Sequence, residues 1–426
     1  MVVTSIFKKQ KIIINNLKKY NDIVKNNYED IFYFNAWSEN FGNFFIKKKF
    51  LKTNFIFEIK MLLKLFNKKL IFKKTKFNIK RNFVISKIKK KKNLIISFQI
   101  NKNKDFDYYF GCERSKTKNS IWLLINSSNQ IINTHFDSIV LNKKNYINFI
   151  EKIFFFLFYF PFWCLKKKKK IIENNFFNVF DIILSDLFVS KIKKVYLPYE
   201  AQPFQKYLIN IIKNNNRNIK IIGYVHGGLP SVPLEYYPNL QIDKLIVHSK
   251  SESDILIKIF GWKKKQIKIE KAFRFNNNKI KKNFIYLPYD FHLTKNLYND
   301  LKYLFNNYYL DDFEIANHPA MLKSKKHKFL IKMINNFKNK KIYNKKLEIK
   351  NSSIFIGVTG SILEGLQNKL NIIHLMNFPE LELYSSNIWK NISNKRINDR
   401  IYTYSLINGN LLKYSQSNSF IKKYNL

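Results

Sequence analysis

Two short stretches hold most of what this sequence offers for chemistry. In IIGYVHGGLP (221–230), Gly223, Gly227 and Gly228 surround His226. In GVTGSILEG (357–365), Gly357, Gly360 and Gly365 surround Thr359, Ser361 and Glu364. The chain has only 10 glycines in 426 residues, so these two stretches take six of them. Glycine adopts positive φ without steric cost and lets a ligand approach the backbone closely. The apolar run IFIGV leads into Thr359-Gly360-Ser361, and a helix is predicted over 361–369. Unpaired first-turn amides, the positive end of the macrodipole and two hydroxyls would then meet at one point. That is a phosphate cradle of the helix N-terminus type. It is not a Walker A loop, because the GxxxxGK[ST] spacing is missing. The same residues also read as a plain capped helix, with Ser361 as N-cap and Glu364 closing a capping box.

Two histidines stand at predicted strand exits. FEIANHPA ends in His318-Pro319, where proline removes a donor and stiffens the turn, so the imidazole is held ready to donate to a phosphate or a nucleobase. IIGYV delivers His226, which could serve as a general base, a proton shuttle or a phosphate donor. The alternative at His226 is a tight turn with an incidental histidine.

Positioning these groups falls to a regular alternation that begins near residue 190. Strands are expected at 194–200, 219–227, 243–249, 267–275, 283–290, 313–319, 353–360 and 371–375. Helices are expected up to about 214, at 251–260 (stopped by Gly261), and near 292–309, 325–337 and 361–369. Alternating strands and helices make an α/β chain with parallel sheets covered on both faces. YLPYE (196–200) and YLPYD (286–290) repeat at two strand ends, and polar NNNKIKKN (276–283) reads as a linker. The pattern predicts two doubly wound domains facing a cleft, 1–275 and 276–426, the last helices crossing back. Ligands in such sheets bind beyond the carboxyl ends of strands.

The first third differs in kind. All nine prolines lie at Pro161 or later, and the first 160 residues hold only Gly42 and Gly111. Mixed α and β structure is all that its Lys/Phe/Ile stretches support. IFFFLFYFPFWCL (153–165), followed by Lys166–Lys170, is shorter than the about 20 residues that span a bilayer. It suits either an interfacial element at an anionic leaflet or a buried core helix with a solvated loop.

Composition narrows the classes further. The hydrophobic fraction of 46% describes a globular chain, and Lys+Arg 77 against Asp+Glu 29 gives +48. Such a charge points to anionic partners. The preponderance of Lys, Asn, Ile, Phe and Tyr also fits drift in an AT-rich genome, and the scarcity of arginine argues against dedicated nucleic-acid reading. Two cysteines, Cys112 and Cys164, give neither a disulfide framework nor zinc spacing. They suit a reducing cytoplasm. The N-terminal MVVTSIFKKQKIIINN lacks the features of a signal peptide. The expected location is cytoplasmic, peripheral to the inner face of the membrane.

In order, GYVHGG, LIVHSKSES, FGW, IKIEKAFRF, the strand ending HPA and GVTGSILEGLQNKLNIIHL resemble GT-B-type glycosyltransferases of bacterial surface and capsular polysaccharide synthesis. The His-Pro pair and the downstream Thr-Gly-Ser are similar to donor-nucleotide motifs of the sialyltransferase and Kdo-transferase branches and of the teichoic-acid polymerases. The resemblance covers about residues 194–376. It implies two Rossmann-like domains, with the nucleotide-sugar donor in the C-terminal one and a glycan or lipid-linked acceptor in the N-terminal one. It implies that His318, Pro319, Thr359, Gly360 and Ser361 hold the nucleotide phosphates, that Glu364 meets the donor's ribose or sugar, and that His226, Gly227 and Gly228 face the reacting carbon. The acidic pair followed by glycine of the sialyltransferases is missing, which argues against a CMP-sialic acid donor.

Sugar transfer needs a base for the acceptor hydroxyl and donors for the departing phosphate. Glu200, just before a helix, and His226 are the base candidates, and Gln202 could orient a sugar hydroxyl. Asp290 is the matching carboxylate of the second domain, and Arg274 could join the phosphate donors. No metal and no cofactor is called for; the nucleotide sugar is a substrate. Three rivals remain. One is a metal-dependent transferase built on Asp105-Phe106-Asp107. The second is a basic nucleic-acid- or membrane-binding protein. The third is a membrane-attached scaffold with a degenerate, non-catalytic transferase fold.

Overall fold

The structure is a computed structural model. It describes residues 12, 15, 75–82, 91–99, 105–126, 134–145, 191–199, 203–225, 242–258, 261–273, 280–288, 291, 293–318, 321–322, 324–339, 347–348, 350–357, 359–376, 389–412 and 416–426. The fold class is the expected one: mixed α/β with two large, mainly parallel sheets.

The first sheet contains β1 (Thr75–Asn82), β2 (Asn93–Gln99), β5 (Ser120–Asn126), β6 (Ser138–Asn145), β7 (Lys194–Pro198), β8 (Lys220–Tyr224), β9 (Lys244–Val247) and β10 (Ile267–Ile269). The short pair β3 (Phe106–Asp107) and β4 (Cys112–Glu113) forms its own ribbon. The spatial order is β1-β6-β5-β2-β7-β8-β9-β10. Every neighbouring pair is parallel except the edge pair β1–β6. Strands buried on both faces need continuous apolar runs, and LIIS, IWLLI and KVYLP supply them. Successive residues go to opposite faces. Leu94, Ile96, Ile121, Leu123, Val195 and Leu197 pack against helices α1 (Pro203–Asn215) and α2 (Lys250–Lys258). Ile95, Trp122, Leu124, Val140 and Tyr196 face the other way, onto Tyr109, Phe110 and Phe273.

That second face is completed from far along the chain. Helix α6 (Ser419–Tyr424) inserts Phe420 between Phe110, stacked at 4.5 Å, and Tyr196 and Phe273 at 5.5 and 5.2 Å. Tyr424 donates its hydroxyl to Glu270, and Asn418 accepts the Glu113 amide at 2.8 Å. Gly111 in the adjoining turn has φ +55°, and a β-carbon there would stand 2.3 Å from the Phe273 carbonyl oxygen. No other residue fits that approach.

The second sheet contains β11 (Phe284–Tyr286), β12 (Glu314–Ala316), β13 (Ser352–Ile356), β14 (Asn371–Leu375), β15 (Ile392–Arg396) and β16 (Ile401–Leu406), in the order β12-β11-β13-β14-β16-β15. The first four are parallel, and β15 and β16 add an antiparallel edge. One face packs on α3 (Lys295–Asn307) and α4 (Lys325–Lys338) through Leu301, Leu304, Leu330 and Ile334. The other face receives α5 (Ser361–Gln367) through Ile362, Leu363 and Leu366. Side chains capping α3 and α4 come from Thr294 and Ser324, which accept the amides of Leu297 and His327.

Candidate functional site

Strand order locates the ligand edges. In the second sheet β11 is followed by β12 on one side, and β13 then joins on the other, so the order reverses between β11 and β13. In the first sheet β5 and β6 extend to one side of β2 and β7 to β10 to the other, so the reversal lies between β2 and β7. At such a point the exit loops diverge and leave a crevice beyond the carboxyl ends.

On the second sheet, the described candidates gather at that edge. Thr359, Gly360, Ser361 and Glu364 follow β13, and His318 follows β12, on the far side of β11. All five are partly exposed. Two strand spacings, about 10 Å, separate the β12 and β13 exits. The helix start differs from the capping-box alternative. Gly360, not Ser361, occupies the capping position, with φ −70° and ψ −14°. Thr359 Oγ1 accepts the Ser361 amide at 3.2 Å. Gly365 has a packing role: an added β-carbon would lie 2.8 Å from Ile372 Cδ1, so α5 sits tightly on β14. Burial, and then the charge of Glu364, push the Tyr286 hydroxyl of β11 upward against the lowering contact with Lys281.

Buried histidines that the sequence reading passed over fix the exit loops. His327 on α4 places Nε2 2.8 Å from the Pro288 carbonyl after β11, and Nδ1 3.0 Å from Ser324 Oγ. A carbonyl only accepts, so Nε2 is the donor to Pro288. His374 on β14 does the same for the exit of β13, with Nε2 3.0 Å from the Gly357 carbonyl and Nδ1 facing Tyr404. Both loops that flank the reversal are therefore tied down by imidazoles.

The first sheet repeats the device. His248, after β9, lies between the Val225 carbonyl at 2.5 Å and the Glu270 carbonyl at 3.2 Å. Its amide and that of Ser249 are accepted by Glu252, while Ser249 Oγ accepts the Glu252 amide: a capping box on α2. Val225 directly precedes His226, and Tyr199, buried against Trp262, directly precedes Glu200. Glu200, Gln202, His226, Gly227, Gly228, Arg274, Asp290 and Pro319 lie outside the described residues, as does the segment 153–170.

The Asp105-Phe106-Asp107 motif has structural work. Asp107 is fully buried; Oδ1 accepts the amides of Tyr109 and Phe110, both at 2.9 Å, and Oδ2 accepts Nη2 and Nε of buried Arg114 at 2.9 and 3.2 Å. Asp105 accepts the amide and hydroxyl of Ser115. Among the described residues, no group of three His, Cys, Asp or Glu side chains is placed to share a metal ion. No described helix is long and apolar enough to cross a membrane.

No family model and no curated protein matches the chain. Among solved structures it is similar to a glycosyltransferase from Rickettsia africae ESF-5, with 16% identity and a TM-score of 0.32 over 67% of this chain and 79% of that one. It is also similar to a UDP-N-acetylglucosamine 2-epimerase from Rickettsia bellii, with 11% identity and a TM-score of 0.30 over 66% and 77%.

Proposed function

We propose that the chain is a GT-B-type glycosyltransferase that moves a sugar from a nucleotide-sugar donor to a surface-glycan or lipid-linked acceptor. The observation that carries this reading is the reversal between β11 and β13, with His318 and the Thr359–Ser361 turn leaving that same edge. A nucleotide needs fixed donors for its phosphates at such a reversal. In this reading the hydroxyls of Thr359 and Ser361 and the His318 imidazole stabilise the leaving phosphate, with Gly360 giving room and Glu364 meeting the sugar or ribose. Pro319, Arg274 and Asp290 complete the donor side. Glu200 or His226 takes the acceptor hydroxyl's proton, with Gln202, Gly227 and Gly228 beside it. The acceptor oxygen then bonds to the anomeric carbon as the bond from that carbon to the phosphate oxygen breaks. No cofactor enters the scheme.

The test is thermal denaturation with CMP-, UDP-, GDP- and dTDP-sugars. A ligand bound only by the folded state adds about 2.7 kcal/mol at a hundredfold excess over Kd. One nucleotide series should raise Tm with concentration, and S361A and H318A should each reduce that rise. If no nucleotide or nucleotide sugar moves Tm, the reading fails.

A further inference from the structure

The outward face of α3 and α4 carries charge that no contact described above uses. Helix α3 has two lysines and one carboxylate, Asp300, which is buried and bound to Arg400 at 2.8 Å. Helix α4 has five lysines and no carboxylate. Lys326 lies over the Phe291 ring and Lys338 donates to the Phe313 carbonyl. The remaining five, Lys295, Lys302, Lys325, Lys328 and Lys332, are exposed and form no ion pair with a described residue. Helix α2 shows the contrast, since Lys250 and Lys258 both reach Asp254.

Apolar side chains stand open among these lysines. Leu293 and Leu322, in the segments entering α3 and α4, are 42% and 64% exposed, and Phe329 is 57% exposed. Lys325, Phe329 and Lys332 share one helical face, opposite the buried His327, Leu330, Ile334 and Phe337. Tyr298 of α3 is also exposed and touches Phe337 of α4 at 5.1 Å, which joins the two helices into one surface. Single exposed apolar residues need no explanation. Several together, set in lysines with no exposed carboxylate on either helix, have the make-up of an interfacial surface.

We propose that this face docks on an anionic lipid bilayer, with Leu322 and Phe329 inserted at the acyl boundary and the lysine ammoniums against lipid phosphates. Lysine stems can lie along the apolar layer while their heads stay hydrated. Single-stranded RNA would match the charge, but it is held by stacking on aromatics and by arginine. Neither helix contains arginine, and RNA gives the two leucines no partner. Both leucines follow the carboxyl ends of β11 and β12, so docking brings the edge that carries His318 to the headgroups. The inference stands whether or not the transfer reaction does.

The experiment uses the full chain with vesicles of phosphatidylcholine alone or mixed equally with phosphatidylglycerol. An environment-sensitive dye is placed on L322C in a C164S background, where the remaining Cys112 is buried. We expect a blue shift with the mixed vesicles that survives salt sufficient to screen surface charge. The same dye on I407C, at the opposite edge of the sheet, should not shift. Co-sedimentation of L322S/F329S should show salt-resistant partitioning weakened about tenfold or more, and K325Q/K328Q/K332Q should weaken low-salt binding about fivefold per lysine. An unshifted dye at position 322 would overturn the proposal, as would unchanged salt-resistant binding by L322S/F329S. So would a dye response to poly(U) with none to vesicles.

Discussion

Replacing Asp107 by Asn isolates the charge in the pair beneath the first sheet. The substitution keeps an oxygen for the Tyr109 and Phe110 amides but turns an NH2 toward Arg114. Two charge-assisted hydrogen bonds are lost, each worth about 1.5–3 kcal/mol. Arg114 is only 2% exposed and retains the Phe98 carbonyl at 3.3 Å and the Trp122 face at 5.4 Å. Removing one partner of a buried pair typically costs about 3–5 kcal/mol, because the other charge is left uncompensated. We expect D107N to lose that amount at neutral pH. Urea denaturation followed by tryptophan fluorescence should show a lower midpoint with an unchanged m-value. The apolar replacement D107L/R114M should recover most of the loss, since both charges leave together. D105N, at the partly exposed Ser115 contact, should cost under about 1 kcal/mol. A D107N protein within about 1 kcal/mol of wild type would refute the reasoning. Chelator-sensitive activity abolished by D107N would restore the metal-site reading of the motif.

Three further outcomes are expected. F420A should destabilise the protein by about 3–5 kcal/mol in the same denaturation assay, because it empties a fully enclosed aromatic site; a loss below about 1 kcal/mol would show that α6 does not hold the first sheet. Burial, and then the charge of Asp107, push the Cys112 thiol well up, so the native C164S protein should resist a disulfide reagent at mildly alkaline pH and react only in denaturant. Asp300 is pushed up by burial against the lowering effect of Arg400. Its folded state then binds the proton more tightly than the unfolded chain, so its contribution to stability falls as pH rises from the ordinary carboxylate range through the raised value. The stability of wild type relative to D300N should decline across that window and level off above it; a difference that grows with pH would contradict the assignment.

The alternation after residue 190 was legible because strands covered on both faces read as apolar runs set between Gly, Pro and Asn, as in KIIGY, SIFI and NIIHL. β2, β5 and β6 carry the same signal in LIIS, IWLLI and SIVL. There it is embedded in a background of equal Ile, Phe and Lys content with almost no glycine or proline to mark the turns. The reversal between β2 and β7 was hidden with them. β15 escaped notice because ISNKR lies on an edge and is largely polar. At the candidate site, chain proximity to a strand end was enough to bring His318 and Ser361 to one edge. It could not reveal His327 or His374, whose carbonyl partners lie 39 and 17 residues away in sequence. Nor could it reveal that Asp107 would be consumed by Arg114.

The dependence of the first sheet on α6 has a consequence for biogenesis. The last strand of that sheet ends at Ile269, and its aromatic cover begins at Ser419. At about 5–20 residues per second, the ribosome needs roughly 8–30 s to make the intervening 149 residues. For that interval the growing polypeptide must carry Phe110, Tyr196 and Phe273 without their lid, a sticky nascent intermediate on which holdase chaperones would have time to act.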